Sequence, residues 1–283
     1  MPQAVPLRPV LSAAPETIRP VLEVENVSLE YRAPGHVVRA TDRVSLEVYG
    51  SERFVLLGPS GCGKSTLLKA VGGFIAPVEG EIRLDGQVIA QPGPDRIMVF
   101  QEFDQLPPWK TVVQNVMFPL LATRRLARSE ARERALHYLA KVGLASFADA
   151  YPHTLSGGMK QRVAIARALA MQPRVLLMDE PFAALDALSR RKMQEELLAL
   201  WDEVRFTLLF VTHSIEEALV VGHRIALLSP HPGRIRAELN AHAFDVHSGG
   251  GADFQAAAQR IHHLLFNEGA PAANGNELSR RAA

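Results

Sequence analysis

Residues 58–65 read GPSGCGKS, a glycine-rich pattern whose chemistry is the binding of phosphate groups. Several backbone N–H groups of such a loop point to one spot, and the dipole of the following helix adds positive potential there. The spacing predicts that Lys64 reaches the terminal phosphates of a nucleoside triphosphate and that the Ser65 hydroxyl ligates Mg²⁺. The predicted nucleotide-binding residues of this loop are Gly58, Pro59, Ser60, Gly61, Cys62, Gly63, Lys64, Ser65 and Thr66.

A second place for chemistry is the acidic pair in RVLLMDEP at residues 174–181. Its apolar residues predict a buried strand, and ligands of α/β sheets collect at the carboxyl ends of such strands. Asp179 is therefore expected to hold Mg²⁺ through its water shell, and Glu180 to polarise the attacking water. An acidic pair after a strand is also common at the start of a helix, where carboxylates suit the helix dipole.

The third motif is LSGGM at residues 155–159, where a helical pattern begins. Ser156, Gly157 and Gly158 open that helix and present free N–H groups at its positive end. Because the phosphate loop already supplies one anion site, a second one predicts a ligand that the two motifs share.

The elements next to the phosphate loop agree with its interpretation. FVLL at residues 54–57 predicts a buried strand before the loop. TLLKAVGG predicts a helix that begins at Thr66 and stops at Gly72. A strand, a glycine loop and a helix in this order form a phosphate site, whereas the loop pattern alone does not say what is done with the phosphate.

The remaining elements alternate as in an α/β protein. Short strands are predicted within residues 21–95, and helices within 103–155, where Ser129 is expected to start the second helix and Gly143 to end it. Strands and helices alternate again after Pro173. Two later helices are predicted, one at 187–204 and one amphipathic helix within 253–269.

Composition narrows the class of protein. With 283 residues, 47% hydrophobic content and a net charge of +1, the chain can bury a substantial core and has no global basic field to recruit nucleic acid. Its single cysteine excludes a disulfide scaffold and agrees with a reducing compartment. The longest apolar runs fall far short of the roughly 20 residues that cross a bilayer. If the protein works at a membrane, other chains are expected to supply the span.

LSGGMKQR followed by LLMDEP resembles the ATP-binding-cassette (ABC) ATPases, and the order of the motifs is similar to theirs from about Val21 to Leu239. The resemblance implies an α/β fold class, the P-loop NTPase fold of ABC ATPases. That fold has a RecA-like core, an antiparallel β subdomain and an inserted helical subdomain. It also implies that ATP and Mg²⁺ are the cofactors.

The same resemblance assigns roles to residues whose own context leaves them open. Tyr31 corresponds to the aromatic ring that the family places against adenine, and Gln101 to the glutamine that contacts Mg²⁺ and the attacking water. Asp186 lies in the loop after the catalytic Glu180, and His213 corresponds to the switch histidine at the γ-phosphate. Taken alone, Tyr31 fits an ordinary strand aromatic, Gln101 the cap of a strand, and His213 the start of a helix.

Three segments are expected along the chain. A flexible Pro-rich leader is expected at residues 1–20, and the ABC ATPase domain at 21–240 with its helical subdomain at about 103–165. A C-terminal extension at 241–283 is expected to carry a short amphipathic helix and a disordered tail.

The resemblance also implies how the motifs cooperate. In the family, two copies pack head to tail, so that each ATP lies between the phosphate loop of one copy and the LSGG motif of the other. Glu180 is then expected to orient water, while Lys64 and His213 stabilise charge on the transferring phosphoryl group. Hydrolysis would remove the bridging contact and open the pair.

The expected partners are a second copy of the chain, transmembrane permease subunits and, indirectly, an extracytoplasmic solute-binding protein, with no nucleic acid. The expected location is the cytoplasmic face of the inner (plasma) membrane, peripherally. The importer interpretation competes with a soluble ABC ATPase that acts on nucleic acid or ribosomes, and with the ATPase of an unfused exporter. Soluble ABC ATPases usually join two cassettes or insert long coiled coils, whereas this sequence has one cassette and no sustained heptads.

The segment EFDQLPPWKTVVQNVMFPL resembles the ATPases of nitrate, sulfonate and taurine importers. Leu106, Pro107, Pro108 and Trp109 are expected to form a stiff apolar protrusion that receives a helix of the membrane subunit. A loop packed on itself is the alternative. The sequence does not identify the solute, because an ATPase subunit does not touch the cargo. Importers of thiamine precursors or other small organic molecules remain alternatives.

Overall fold

The computed structural model describes residues 19–33, 36–101, 105–124, 126–248 and 251–266. The leader expected at residues 1–20, apart from its last two residues, and the tail after residue 266 lie outside this part of the chain. The strands are β1 (Leu22–Ala33), β2 (His36–Val48), β3 (Arg53–Leu57), β4 (Glu79–Leu84), β5 (Gln87–Val88), β6 (Arg96–Val99), β7 (Val175–Asp179), β8 (Leu208–Thr212), β9 (Arg224–Leu228) and β10 (Ile235–Asn240). The helices are α1 (Lys64–Val71), α2 (Val112–Ala122), α3 (Arg128–Lys141), α4 (Gly157–Ala170), α5 (Ala187–Val204), α6 (Ile215–Val221) and α7 (Ala252–Phe266).

The first sheet is antiparallel, with the strand order β2-β1-β4-β5. Successive side chains of a strand point to opposite faces, so Leu22 and Val24 of β1 are buried whereas Glu25 is exposed. This sheet buries one apolar face in a core that also contains α1 residues such as Leu67 and Leu68.

The second sheet has the order β10-β9-β3-β8-β7-β6, and β10 alone among its described strands runs antiparallel to its neighbour. Every residue of β8 is buried, as expected for a parallel strand that is covered on both faces. The register pairs Leu57 with Thr212 and Asp179 with Val211. The carboxyl ends of β3, β8 and β7 therefore meet at one edge of the sheet.

A second hydrophobic core contains the helices α2, α3 and α4, which pack against one another. Helix α2 begins after Thr111, whose side chain accepts a hydrogen bond from the Gln114 backbone N–H. The Gln114 side chain accepts one from the Thr111 backbone N–H in return, which forms a capping box. None of the helices in the described ranges combines the length and the apolar character needed to cross a bilayer.

Two expected helix boundaries differ from those observed. Helix α1 begins at Lys64 rather than at Thr66, because its first turn is part of the phosphate loop. Helix α3 begins at Arg128 rather than at Ser129, since the Glu130 carboxylate accepts a hydrogen bond from the backbone N–H of Ala127. By contrast, the bounds predicted for the helix at 187–204 are those of α5.

The C-terminal helix α7 packs on α6, β9 and β10. Its apolar side is formed by Phe254, Ile261 and Leu265, which are buried, while Leu264 is half-buried. The Arg236 guanidinium donates hydrogen bonds to the carbonyl oxygens of Leu264 and Leu265, at 3.2 and 2.9 Å, so the charge of β10 stabilises the negative end of this helix.

Candidate functional site

The phosphate loop connects β3 to α1 and depends on glycine at defined positions. Gly61 and Gly63 have φ angles of 80° and 96°, in the left-handed region that other residues rarely adopt. A Cβ on Gly63 would lie 2.5 Å from the carbonyl oxygen of Ala40. Glycine therefore lets the loop pack against β2 and direct its backbone into the site.

Lys64 is buried under the loop that it follows. Its ammonium donates hydrogen bonds to the carbonyl oxygens of Gly58 and Pro59, at 2.8 and 2.9 Å, and lies 4.0 Å from Glu180 Oε1. A buried ammonium requires such partners because its desolvation is costly. The contacts hold one positive charge between the phosphate loop and the acidic pair.

Ser65 joins the start of α1 to the end of β7. Its hydroxyl donates a hydrogen bond to Asp179 Oδ1 at 2.7 Å. Burial raises the pKa of the Asp179 carboxyl, and the hydrogen bond from Ser65 opposes that rise. A hydroxyl and a carboxylate this close offer oxygen atoms of the kind that Mg²⁺ prefers, so the donor set fits this ion.

Glu180 and His213 form the second polar pair of the site. The Nδ1 atom of His213 lies 2.8 Å from Glu180 Oε2, and the backbone N–H of Glu180 donates to Val211 O at 3.0 Å. Glu180 has a φ angle of 43°, an unfavourable conformation for a residue with a side chain. This left-handed turn directs the carboxylate towards both His213 and Lys64.

A cavity of about 250 Å³ opens beside these groups. The Tyr31 hydroxyl lies 2.8 Å from the hydroxyl of Thr66, and its ring is 43% exposed. The cavity thus has an apolar side that can accept a base and a polar side that can accept phosphates. Its lining residues are Tyr31, Val38, Ala40, Ser60, Gly61, Gly63, Lys64, Ser65, Thr66, Glu180 and His231.

Gln101 is exposed, two positions after the end of β6, and it does not line this cavity. The next described residue, Gln105, ties the loop to α4. Its side chain donates to Phe100 O at 3.0 Å and to Gln161 Oε1 at 3.3 Å, and its carbonyl accepts from the Arg167 guanidinium at 2.8 Å. The Gln101 loop and the helix that LSGGM opens are therefore held together.

The LSGGM motif does not reach the cavity within this chain. Ser156 caps α4 by accepting a hydrogen bond from the Met159 N–H at 3.3 Å, and a Cβ on Gly158 would meet no atom within 4 Å. Asp186 likewise caps α5, accepting from the Ser189 N–H at 3.0 Å. Ser156, Gly157, Gly158 and Asp186 do not line the cavity. Other predicted site residues that do not line it are Gly58, Pro59, Cys62, Asp179 and His213.

The prediction that residues 106–109 form an apolar protrusion is wrong for Leu106. This side chain is only 3% exposed and packs in the core. The Asn115 amide donates hydrogen bonds to the carbonyl oxygens of Pro107, Lys110 and Thr111, and this turn directs Leu106 inward. Trp109 is 73% exposed. Phe118 is exposed as well, and the Lys110 ammonium lies 5.0 Å from the centre of its ring.

Comparison with known proteins identifies the family of this chain and its relatives. A family model described as "ABC transporter" matches residues 41–183. The taurine import ATP-binding protein TauB of Rhizobium johnstonii is 50% identical over 78% of this chain and 84% of its own length. The nitrate import ATP-binding protein NrtD of Synechococcus elongatus is 44% identical over 79% of this chain and 82% of its own length.

Solved structures match as well. The ATP-binding cassette MJ0796, in a dimeric post-hydrolysis state bound to ADP and Pi, is 35% identical and covers 79% of this chain and 100% of its own, with a TM-score of 0.68. The protein cbiO1 of Clostridium perfringens, part of the transporter complex cbiONQ, is 28% identical over 87% of this chain and 98% of its own, with a TM-score of 0.71. The fold class predicted from the sequence is confirmed.

Proposed function

This chain belongs to the ABC transporter family, and from that premise we propose that it is the ATP-hydrolysing subunit of an importer of a small solute. The observation that carries the proposal is the convergence of Ser65 with Asp179, and of Glu180 with His213, at the carboxyl ends of adjacent strands beside the phosphate loop. A phosphate loop, a cation site and an oriented carboxylate are the parts that phosphoryl transfer requires.

We infer that ATP binds in the cavity beside α1. Its phosphates would lie against the backbone N–H groups of residues 58–66 and the ammonium of Lys64, and its base against Tyr31. The arrangement is supported by the glycine conformations of the loop and by the apolar side of the cavity.

Ser65 and Asp179 would hold Mg²⁺, with the exposed Gln101 as a further contact. The ion, when bound, neutralises charge on the phosphates. Glu180 would accept a hydrogen bond from the attacking water and orient it. His213 holds the Glu180 carboxylate in place and, with Lys64, would stabilise the charge that develops on the transferring phosphoryl group.

We propose that the site is completed by a second copy of the chain. Ser156, Gly157 and Gly158 do not line the cavity of their own chain, and a Cβ on Gly158 would meet no atom within 4 Å. The positive end of α4 would therefore meet the γ-phosphate of ATP bound to another copy. Asp186 would lie in the same contact between copies. Leu188, two residues after Asp186, is 82% exposed and would be covered there.

We also propose that the exposed aromatic pair Trp109 and Phe118 docks on membrane-spanning subunits at the cytoplasmic face of the membrane. Trp109 is 73% exposed and Phe118 is 50% exposed, and large aromatic side chains are enriched at protein interfaces. The Gln105 contacts with Gln161 and Arg167 would transmit movement of this surface to α4. An extracytoplasmic solute-binding protein would act through the same membrane subunits.

The solute is proposed from similarity alone. Relatives are named for the import of taurine and nitrate and for bicarbonate transport, so a small anion or zwitterion such as nitrate, taurine or another sulfonate is proposed here. These names favour import over the exporter and nucleic-acid alternatives.

The proposal is tested in two steps. Purified full-length chain should release phosphate from ATP only with Mg²⁺, at a rate per chain that rises with protein concentration because two copies form each site. In cells, replacement of the native chain by Lys64→Ala should abolish uptake of labelled nitrate, taurine or a related sulfonate.

A rate per chain that is independent of concentration down to nanomolar protein would contradict the shared site. Unchanged uptake of all these solutes in cells with Lys64→Ala, with the protein present at normal abundance, would contradict the proposed solute class.

A further inference from the structure

The connection between β9 and β10 contributes a side chain to the nucleotide cavity. His231, in the middle of residues 229–234, lines the cavity beside Tyr31 and the phosphate loop. It is an exposed residue, so its ring is accessible to a ligand. No pattern in the sequence singles it out, because the loop that carries it is 165 residues beyond Thr66.

This connection is held in one conformation by its own hydrogen bonds. The Ser229 hydroxyl lies 3.0 Å from Pro230 O and 2.9 Å from Pro232 O, and it accepts from the Arg234 N–H at 3.0 Å. The Arg234 guanidinium forms an ion pair with the buried Asp42 at 2.6 Å. The position of His231 is thus set by a structured turn.

The turn is also docked on the phosphate loop. The Gly233 N–H donates to Ala40 O at 2.9 Å, and Gly233 O accepts from the Asp42 N–H at 2.9 Å. A Cβ on Gly233 would lie 2.1 Å from the carbonyl oxygen of Cys62, so only glycine permits this approach. His231 therefore keeps a fixed place relative to the loop that receives the phosphates.

The two halves of a nucleotide would contact different residues of this cavity. The phosphates would bind to the loop backbone and to Lys64. The nucleoside half faces Tyr31, Val38 and Ala40, and the Tyr31 hydroxyl is already within hydrogen-bond distance of Thr66. Among the described lining side chains outside the phosphate loop and the catalytic Glu180, the ring nitrogens of His231 are left for the polar atoms of the base or ribose.

We propose that His231 is a nucleotide-binding residue that hydrogen-bonds the nucleoside half of ATP, a role that rests on the proposed function of this cavity. The turn between β9 and β10 of the second sheet would then bind the same ligand as Tyr31 of the first sheet.

The test compares ATP with inorganic tripolyphosphate, which has the phosphates but no nucleoside, by titration calorimetry on the full chain. His231→Ala is expected to weaken ATP binding about 2- to 12-fold, the net range of one hydrogen bond, and to leave tripolyphosphate binding unchanged. His231→Gln, which keeps a donor and an acceptor, should recover part of the loss. His263→Ala, an exposed histidine of α7, is the matched control.

Unchanged ATP affinity in His231→Ala would overturn the inference. An equal loss for ATP and tripolyphosphate would overturn it too, because the side chain would then act on the phosphates or on the loop. If the unsubstituted chain failed to bind ATP, the proposed function itself would be contradicted. Full ATP affinity in every variant would leave that function standing and remove only the role of His231.

Discussion

The motifs GPSGCGKS and LSGGM both open a helix, but their surroundings differ sharply. At the first, Ser65 contacts Asp179, Lys64 contacts Glu180 and Glu180 contacts His213, at distances of 2.7 to 4.0 Å. At the second, the Ser156 side chain caps its own helix and Gly158 faces open space. The groups around the first motif are thus joined to one another within the chain, whereas the second motif does not line their cavity.

This difference separates two kinds of substitution. A change among the interlocked groups should damage chemistry inside one chain. A change at the outward end should leave the single chain intact and affect only what meets it. The largest effects are therefore expected for substitutions at the first motif and its partners, and the smallest for substitutions that lie in neither motif.

The largest effect is expected for Glu180→Gln. The amide keeps the size of the side chain but cannot act as a base, so phosphate release should fall about 10²- to 10⁴-fold while ATP binding persists. Phosphate release and ATP affinity are measured on the same preparation, and a dimer that persists with ATP should be seen by size-exclusion chromatography. Residual turnover above a tenth of the original would identify another base.

A smaller but still large effect is expected for Gly158→Asp. The site has room for the side chain, and a carboxylate suits the first turn of α4, so the fold should be unchanged. The negative charge would face the γ-phosphate held by the other copy, so turnover should fall about 10²-fold. The affinity of the monomer for ATP should not change; a parallel loss of that affinity would place Gly158 in the site of its own chain.

Trp109→Ala tests the outward surface away from both motifs. Loss of a central aromatic contact, about 2 kcal/mol, should weaken docking on the membrane subunits about 30-fold. ATP hydrolysis by the free chain should be unchanged, and co-purification with those subunits and solute uptake are measured. Phe147→Ala, a second exposed aromatic, serves as a control. Undiminished uptake would argue against the docking surface.

The smallest effect concerns stability and leaves both motifs untouched. Burial lowers the pKa of His223 to about 4, helped by Arg53, His242 and Arg205, so His223 is neutral in the folded chain. The ring stacks on His242 at 4.4 Å and meets the edge of Trp201 at 4.8 Å. An unfolded histidine titrates near 6.5, so protons bind the unfolded chain first as the pH falls from about 6.5 to about 4.

The free energy of unfolding should therefore decrease across that window. Because His223 is only half-buried, we expect a loss of about 1 to 2 kcal/mol, measured by urea unfolding at about pH 7 and about pH 4.5. His223→Gln should flatten this dependence without changing ATP hydrolysis at neutral pH. An equal pH dependence in the variant would assign the effect to other groups.

Local patterns predicted those parts that local physics determines. The helix at 187–204 was predicted with both its bounds, since Asp186 caps its start and a 3.6-residue apolar pattern runs through Met193, Leu197 and Trp201. The position of the phosphate loop could be predicted because its glycines and its lysine stand at fixed spacings along the chain.

Other parts depend on contacts between distant segments. Leu106 is buried because Asn115 holds the turn between them, which the apolar letters LPPW do not reveal. Likewise, His231 reaches the cavity because Gly233 packs on Cys62. The roles of all the predicted site residues stay predictions; for Gln101, Ser156 and Asp186 the described surroundings also lack the partner that they would meet.

The carbonyl oxygen of Ala40, in β2, is a point where two other segments meet this strand. Gly63 of the phosphate loop packs against it, and Gly233 donates a hydrogen bond to it, so β2 of one sheet and the β9–β10 turn of the other meet at the loop. A ligand bound only by the native loop stabilises this junction by mass action, about 2.7 kcal/mol at a concentration 100 times its Kd. The nucleotide supply would then govern how firmly the two sheets are joined, as well as how often the site turns over.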